Sequence, residues 1–572
     1  MKPRSRLIAL AFLAIAPLAL AAETSKIDID RVLSTAREEN LAMDHLDYLT
    51  NRIGPRLTSS DGLQHACEWT RDRFKEFGIE NARLEKWGEF PVGFNRGPWS
   101  GRMVEPTVKA LTFGTNSWTA GTKGLVKGPA VMAPENDEQL AQVKDKLAGA
   151  WVLVPPGAAG QRGPGGGGGG GRPGGGQGGP AEEFRKKRDA AYAEAKIAGT
   201  VRGLANELIV TGGSYQITWD KLPTVPVINM VKSSFDEVAG LVKEGKPVVL
   251  EFDIRNYFKK GPIPLYNVIA DIPGTEFPDE YVIVGGHIDS WDGATGTTDN
   301  GTGCATTLEA ARLLMKSGVK PRRTIRFMLW SGEEQGLFGS REYVKAHPDL
   351  MKKISVVLVH DMGTNYLSGL GVTKAMKPDI DAALAPLVGL DPAMPFAIRE
   401  VAGIRRGGGS DHDSFLSAGV PGLFWNQSGS ARYNTTHHTQ HDTFDRAVPE
   451  YQKHSSLVAA LAALGIANLD HLLSRDAMIA PGGGRGGFGG RRVAGIMMEE
   501  MKITEVVPDG VAEKAGVKIG DVLVKVNGKA VATREEYMEA MQTAGREFPI
   551  VVKRDGKEVE LKLAFPAPQP QP

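Results

Sequence analysis

A chain of 572 residues is too long for one hydrophobic core, so two to four domains are expected. Its 68 basic residues against 67 acidic ones give a net charge of +1, which offers no footing for nucleic acid or an anionic membrane surface as partner. The two cysteines, Cys67 and Cys304, lack the CxxC or Cys/His spacing of a structural zinc site and read as buried, unpaired thiols.

The chain opens with Lys2, Arg4 and Arg6, followed by an apolar run over 7–20 that closes on Ala19-Leu20-Ala21. This is the pattern of a secretory signal peptide over residues 1–21, and the run is shorter than the ~20 residues a membrane span needs. With no later stretch long and apolar enough to span, the mature protein is expected to be exported, periplasmic or extracellular. Two helices are predicted at 29–49 and 63–77, on either side of the breaker-rich loop NRIGPRLTSS, and strands near 82–87 and 107–113.

From residue 119 short apolar runs at 124–126, 150–154, 224–231 and 248–252 alternate with Gly/Pro turns, and a helix is predicted near 234–243. The segment PTVPVIN at 223–229, followed by that helix, resembles the end of a protease-associated (PA) domain, which implies a β-rich insert over 119–257. Within it, residues 157–180 are almost wholly Gly, Pro, Arg and Gln. They hold too little apolar surface to offset their ordering entropy, so a disordered loop is expected. The run lacks the GK[ST] ending of a phosphate loop.

Strands predicted at 267–272, 281–284, 324–330 and 354–359 alternate with helical segments. This describes a mixed, mostly parallel sheet with helices on both faces, built from 22–118 and 258–480 around the insert. A Gly/Arg linker follows at 481–493. Beyond it, VAEKAGVKIGDVL at 511–523 and VNG at 526–528 resemble a PDZ domain over 494–566, with AGIM at 494–497 in place of the carboxylate-binding loop. Such a domain takes an extended peptide or a protein C-terminus as an added strand. The Pro/Gln-rich tail 567–572 is expected to be disordered.

The chemistry-bearing residues stand where the strands of the α/β region end: His287 with Asp289, Asp299 before a helix, Glu333 with Glu334, and Asp361. His438 follows in a late loop, HHTQHDT. Singly, each has an ordinary structural reading, as a helix N-cap, a solvated turn or a surface histidine. Jointly, acids and imidazoles at the carboxyl ends of successive strands describe a metal site, because the loops diverge there and leave a crevice.

The motifs GGHIDS, TDNGTG, SGEEQGLFGS, HDMG and HTQHDT together resemble the di-zinc exopeptidase family of secreted aminopeptidases and glutamate carboxypeptidases. IGPRLTSS and HIDSWD lie nearest its carboxypeptidase Q branch and bacterial relatives. The resemblance implies two zinc ions, one on His287 and Asp361 and the other on Glu334 and His438, with Asp299 bridging and a cis Asp299–Asn300 bond. It implies Glu333 as general base on a zinc-bound hydroxide, Asp289 fixing the His287 ring, and Asp411 or His412 supporting substrate. The family usually has Tyr before the late histidine, where this chain has His437. His438 is the expected ligand because it stands four residues before Asp442.

The implied activity is hydrolysis of terminal bonds in short peptides, as an aminopeptidase or, alternatively, as a carboxypeptidase or dipeptidase of the carboxypeptidase Q type. Arg405, Arg406 and Arg432 are the candidate partners for a substrate carboxylate. A non-catalytic binding protein is the remote alternative, opposed by the intact ligand set and base. A glutaminyl cyclase on the same fold is opposed by the paired Glu333-Glu334.

Overall fold

The computed structural model describes residues 25–157, 180–404, 407–476 and 478. Further along, it describes 496–499, 501–506, 511–532, 536–537, 540–541 and 545–565. The signal segment 1–21, nearly all of the Gly-rich stretch 157–180, Arg405, Arg406, the linker 481–493, Ala494-Gly495 and the tail 567–572 lie outside the described residues. The chain divides into two compact units, 1–485 and 486–572.

The first unit is built on one continuous mixed sheet. In its α/β half the strands run in the order Ala397–Val401, Tyr366–Thr373, Gly422–Ser428, Ile354–Val359, Phe277–His287, Arg323–Trp330 and Val249–Ile272. The three strands around the centre, Ile354–Val359, Phe277–His287 and Arg323–Trp330, are parallel, and Gly422–Ser428 also pairs in parallel with Ile354–Val359. Alternation along the central strand explains the two covered faces. Val282 and Val284 pack into a core with the helices Thr302–Ser317 and Pro449–Ala467, whereas Ile283 packs with Met328, Trp330, Tyr343 and Phe415 on the other side.

Two long strands carry this sheet on into residues 113–230. Arg83–Glu105 and Val249–Ile272 pair antiparallel over almost their whole length, with register shifts at Lys86/Gly88, Phe90/Val92, Arg96/Trp99 and Met103/Glu105. One end of Val249–Ile272 pairs with Arg323–Trp330 and the other with Val126–Met132. From there the sheet continues through the parallel strands Trp151–Val154, Gly199–Gly203 and Val227–Met230 to antiparallel Phe113–Thr115. A separate apolar core lies here, around Trp151, Ile228, Phe235 and Phe252, and it also takes in Met103, Leu111 and Phe113 from upstream of residue 119.

The predicted helix 29–49 is two helices, Lys26–Glu38 and Ala42–Asp47. Glu39 is extended and the Asn40 side chain accepts the Ala42 N–H, which ends one helix and starts the next. The two cysteines are buried and unpaired. Among the described residues no helix is long and apolar enough to cross a membrane.

The second unit is a small antiparallel β structure. Its described strands run in the order Ile496–Glu499, Lys502–Val506, Val522–Val526, Glu547–Arg554 and Lys557–Ala564. Its core is Ile503, Leu523, Val526, Phe548, Ile550, Val552 and Leu563. Arg554 pairs with the buried Asp521 at 2.7 Å.

Candidate metal centre

Each strand end delivers its side chains to one crevice. Phe277–His287 ends on His287, Arg323–Trp330 leads into Glu333 and Glu334, and Ile354–Val359 leads into Asp361. Parallel neighbours end on the same edge of a sheet, so their first loop residues meet. Asp299 arrives from the loop before the helix Thr302–Ser317, with a cis bond to Asn300. The Asn300 side chain holds that turn, donating to the His360 carbonyl at 2.7 Å and accepting the Gly303 N–H at 3.0 Å.

The donor atoms converge in two groups that share Asp299. His287 Nε2 lies 3.0 Å from Asp361 Oδ1 and 3.2 Å from Asp299 Oδ1. His438 Nε2 lies 2.9 Å from Glu334 Oε2 and 3.1 Å from Asp299 Oδ2. Asp299 thus presents one oxygen to each imidazole. Carboxylates outnumber imidazoles here, and Glu334 Oε1 is buried with no hydrogen-bond partner among the described residues. A buried excess of acids with an unsatisfied oxygen fits divalent cations, and mixed imidazole and carboxylate donors suit zinc.

The charges act strongly on one another. Burial pushes Glu333 well above the usual carboxylate range, with Asp361, Glu334 and Asp411 adding and His287 opposing. Burial likewise raises Glu334, Asp411 and Asp442, each to about 7. Burial disfavours charge on His287, but Asp361 and Glu333 outweigh it and hold the ring well above the ordinary imidazole value.

Asp289 differs from its expected role. The Asp289 group at hydrogen-bond distance from His287 Nδ1 is the main-chain carbonyl, at 3.0 Å, while the carboxylate stands 3.7 Å away. The carboxylate turns instead to Thr58 Oγ1 at 2.9 Å and to the amides of Glu333 and Glu334, both at 3.3 Å. It therefore orients the Glu-Glu turn. Asp411 is fully buried and acts on Glu333 through its charge, and His412 packs on Phe424 with ring centroids 4.9 Å apart. Arg432 lines a cavity of about 630 Å³ with Tyr433, His441 and Arg446, beside Thr298.

Three contributors were not assigned roles from the sequence. Asp442 accepts the amides of Thr298 at 2.5 Å and Asp299 at 3.2 Å, fixing Asp299 from behind. Buried Arg56 donates to the carbonyls of Ile288, Thr295 and Gly296 and so braces the loop between His287 and Asp299. His437 stacks on His438 at 3.9 Å with its Nε2 3.8 Å from Asp299 Oδ2. Each left a signal without a role: Asp442 in the HTQHDT motif, Arg56 in IGPRLTSS and His437 as the neighbour of the expected ligand.

Residues 267–463 match Peptidase family M28, and residues 502–554 match the PDZ domain family. The chain is 26% identical over 450 residues to carboxypeptidase Q of Bos taurus, covering 77% of this chain and 88% of that protein. It is 34% identical over 182 residues to leupeptin-inactivating enzyme 1 of Streptomyces exfoliatus, covering 28% of this chain and 35% of that one. A peptidase M28 precursor from Shewanella amazonensis shares the fold, with a TM-score of 0.54 at 24% identity over 79% of this chain and 99% of that one. Over residues 267–463 the chain is therefore a peptidase of the M28 kind, a metallo-exopeptidase, and it carries a PDZ domain at 502–554.

Proposed function

We propose that this chain is an exported exopeptidase that uses two zinc ions to hydrolyse terminal bonds of short peptides, with residues 119–257 as a PA-like insert in the catalytic region. The observation that carries the proposal is the split use of Asp299, one carboxylate oxygen facing His287 and the other His438. His287 and Asp361 would hold one ion, Glu334 and His438 the other, and Asp299 both. Zinc bound there supplies Lewis acidity and lowers the pKa of a water from 15.7 toward ~7.

The protein's own groups do the rest. Glu333 is held by its amide on Asp289 beside the ligand Glu334, and its carboxylate serves as base toward the attacking water and then as acid toward the leaving amine. Asp289 and Asp442 keep Glu334 and Asp299 in place through main-chain amides.

Aminopeptidase action is the first reading, on its frequency in the family that the motifs resemble. The carboxypeptidase or dipeptidase reading is favoured by the extent of the likeness to carboxypeptidase Q and by Arg432 and Arg446 lining the cavity beside Thr298. The export reading rests on the signal pattern in 1–21. The test is hydrolysis of one short peptide presented free, blocked at the N-terminus, blocked at the C-terminus and blocked at both ends, with zinc content measured on the same sample. Loss of turnover only with the C-terminal block establishes the carboxypeptidase direction, and loss only with the N-terminal block the aminopeptidase direction. Cleavage of the doubly blocked peptide would overturn exopeptidase action.

A further inference from the structure

The insert does more than extend the sheet. Its segment 207–211 lies against the loop that carries His438, and Val210 and Thr439 form an antiparallel bridge. The Thr211 N–H and Oγ1 both donate to the His438 carbonyl, at 2.6 and 3.0 Å. Gln440 donates its amide to the Ile209 carbonyl at 3.2 Å, and its side chain accepts from the Ile209 N–H at 2.8 Å and donates to the Glu207 carbonyl at 2.9 Å. The same segment is tied to a second site loop. The Ser117 N–H donates to the Gly212 carbonyl at 2.8 Å, and Ser117 Oγ donates to Asp292 at 2.6 Å, which Arg96 also pairs with at 2.9 Å. A Cβ on Gly293 would come within 1.8 Å of Thr211 Cγ2, so the loop after Trp291 lets this threonine approach only because residue 293 has no side chain.

His438 needs such support. It sits at φ +55°, a left-handed conformation that costs a non-glycine residue free energy and persists where neighbours fix it. No described strand carries it: it stands between two short helical turns, Tyr433–Thr435 and Phe444–Arg446. On the side of the α/β sheet its loop is held through Asp442, and on the other side by the insert.

We infer that Thr211 and Gln440 are positioning residues for His438, so that docking of the insert and retention of the cation on the Glu334–His438 side are thermodynamically coupled. This rests on the zinc reading above. Partners one step behind a ligand typically change metal affinity by about 10- to 100-fold when removed. The two ions should not respond equally, because none of the five bonds reaches His287 or Asp361.

The test uses the zinc-loaded full chain and follows zinc release to a chromophoric chelator, with total zinc by elemental analysis. In Gln440→Leu one of two zincs should leave about tenfold faster while the other keeps its wild-type rate, and excess zinc should restore kcat with KM unchanged. Gln440→Glu keeps the acceptor for Ile209 and loses only the donor to Glu207, so it should fall between. Asn229→Ala removes a bond between the insert strand Val227–Met230 and Asn116, which involves neither Thr211 nor Gln440, and should release zinc as wild type does. Unchanged release in both Gln440 variants, or equally fast release in Asn229→Ala, would overturn the inference while leaving the zinc reading intact. A wild-type protein that holds no zinc would overturn both.

Discussion

The two halves of the candidate metal centre are built in different ways. His287 closes a parallel strand, Asp361 and Glu334 stand two and four residues beyond theirs, and the His287, Glu334 and Asp361 side chains are nearly inaccessible, at 1%, 2% and 9% exposure. His438 is 25% exposed, sits on a loop, and owes its place to hydrogen bonds from residues 207–211, far upstream in sequence. A strand-end ligand inherits its position from the sheet, whose pairing is set by many residues together. A loop ligand depends on a few named bonds. The first half should therefore be robust to changes nearby, and the second should be tunable.

The largest effect is expected within the strand-end half, where two chemically identical neighbours do different work. Glu333→Gln should keep both zincs while kcat falls by a factor on the order of 10²–10⁴, the usual share of general-base catalysis. Glu334→Gln should lose or weaken one zinc, with activity partly recovered in excess metal. Zinc content and kcat measured on both variants decide the roles, and the reverse pattern would exchange them.

A smaller effect tests the boundary between the halves. Asp442 carries the late loop onto Asp299 through two amides. Asn keeps one acceptor oxygen, so Asp442→Asn should weaken zinc by about 10-fold or more, by the outer-shell rule. Competition with a chelator of known affinity reads this directly. Unaltered affinity would mean that the loop is held without Asp442.

What the sequence makes legible follows the same division. The strand Phe277–His287 is visible because Val282, Ile283 and Val284 run straight into a glycine pair and a histidine. The acids at the next two strand ends are visible for the same reason. His438 is legible only through the HTQHDT motif, since no local pattern announces a loop pinned from residues 207–211. The long ribbon Arg83–Glu105 with Val249–Ile272 was hidden by its own composition. Pro91, Gly97-Pro98 and Lys259-Lys260-Gly261-Pro262 read as turns, yet the ribbon absorbs such residues at its register shifts. Asp289 was placed correctly beside His287 but given the wrong bond, because spacing cannot tell a main-chain carbonyl from a carboxylate.

The smallest effect concerns the C-terminal unit. Every group of the metal centre lies within residues 1–485, so a chain ending at residue 485 should bind zinc and turn over small amide substrates as the full chain does. A loss of zinc in the shortened protein would show that residues 486–572 complete the site.

The most direct measurement is anomalous X-ray diffraction at the zinc edge on zinc-loaded crystals. Two peaks are expected, one between His287 and Asp361 and one between Glu334 and His438, with Asp299 reaching both. A single peak, or a second ion held by His437 in place of His438, would contradict this.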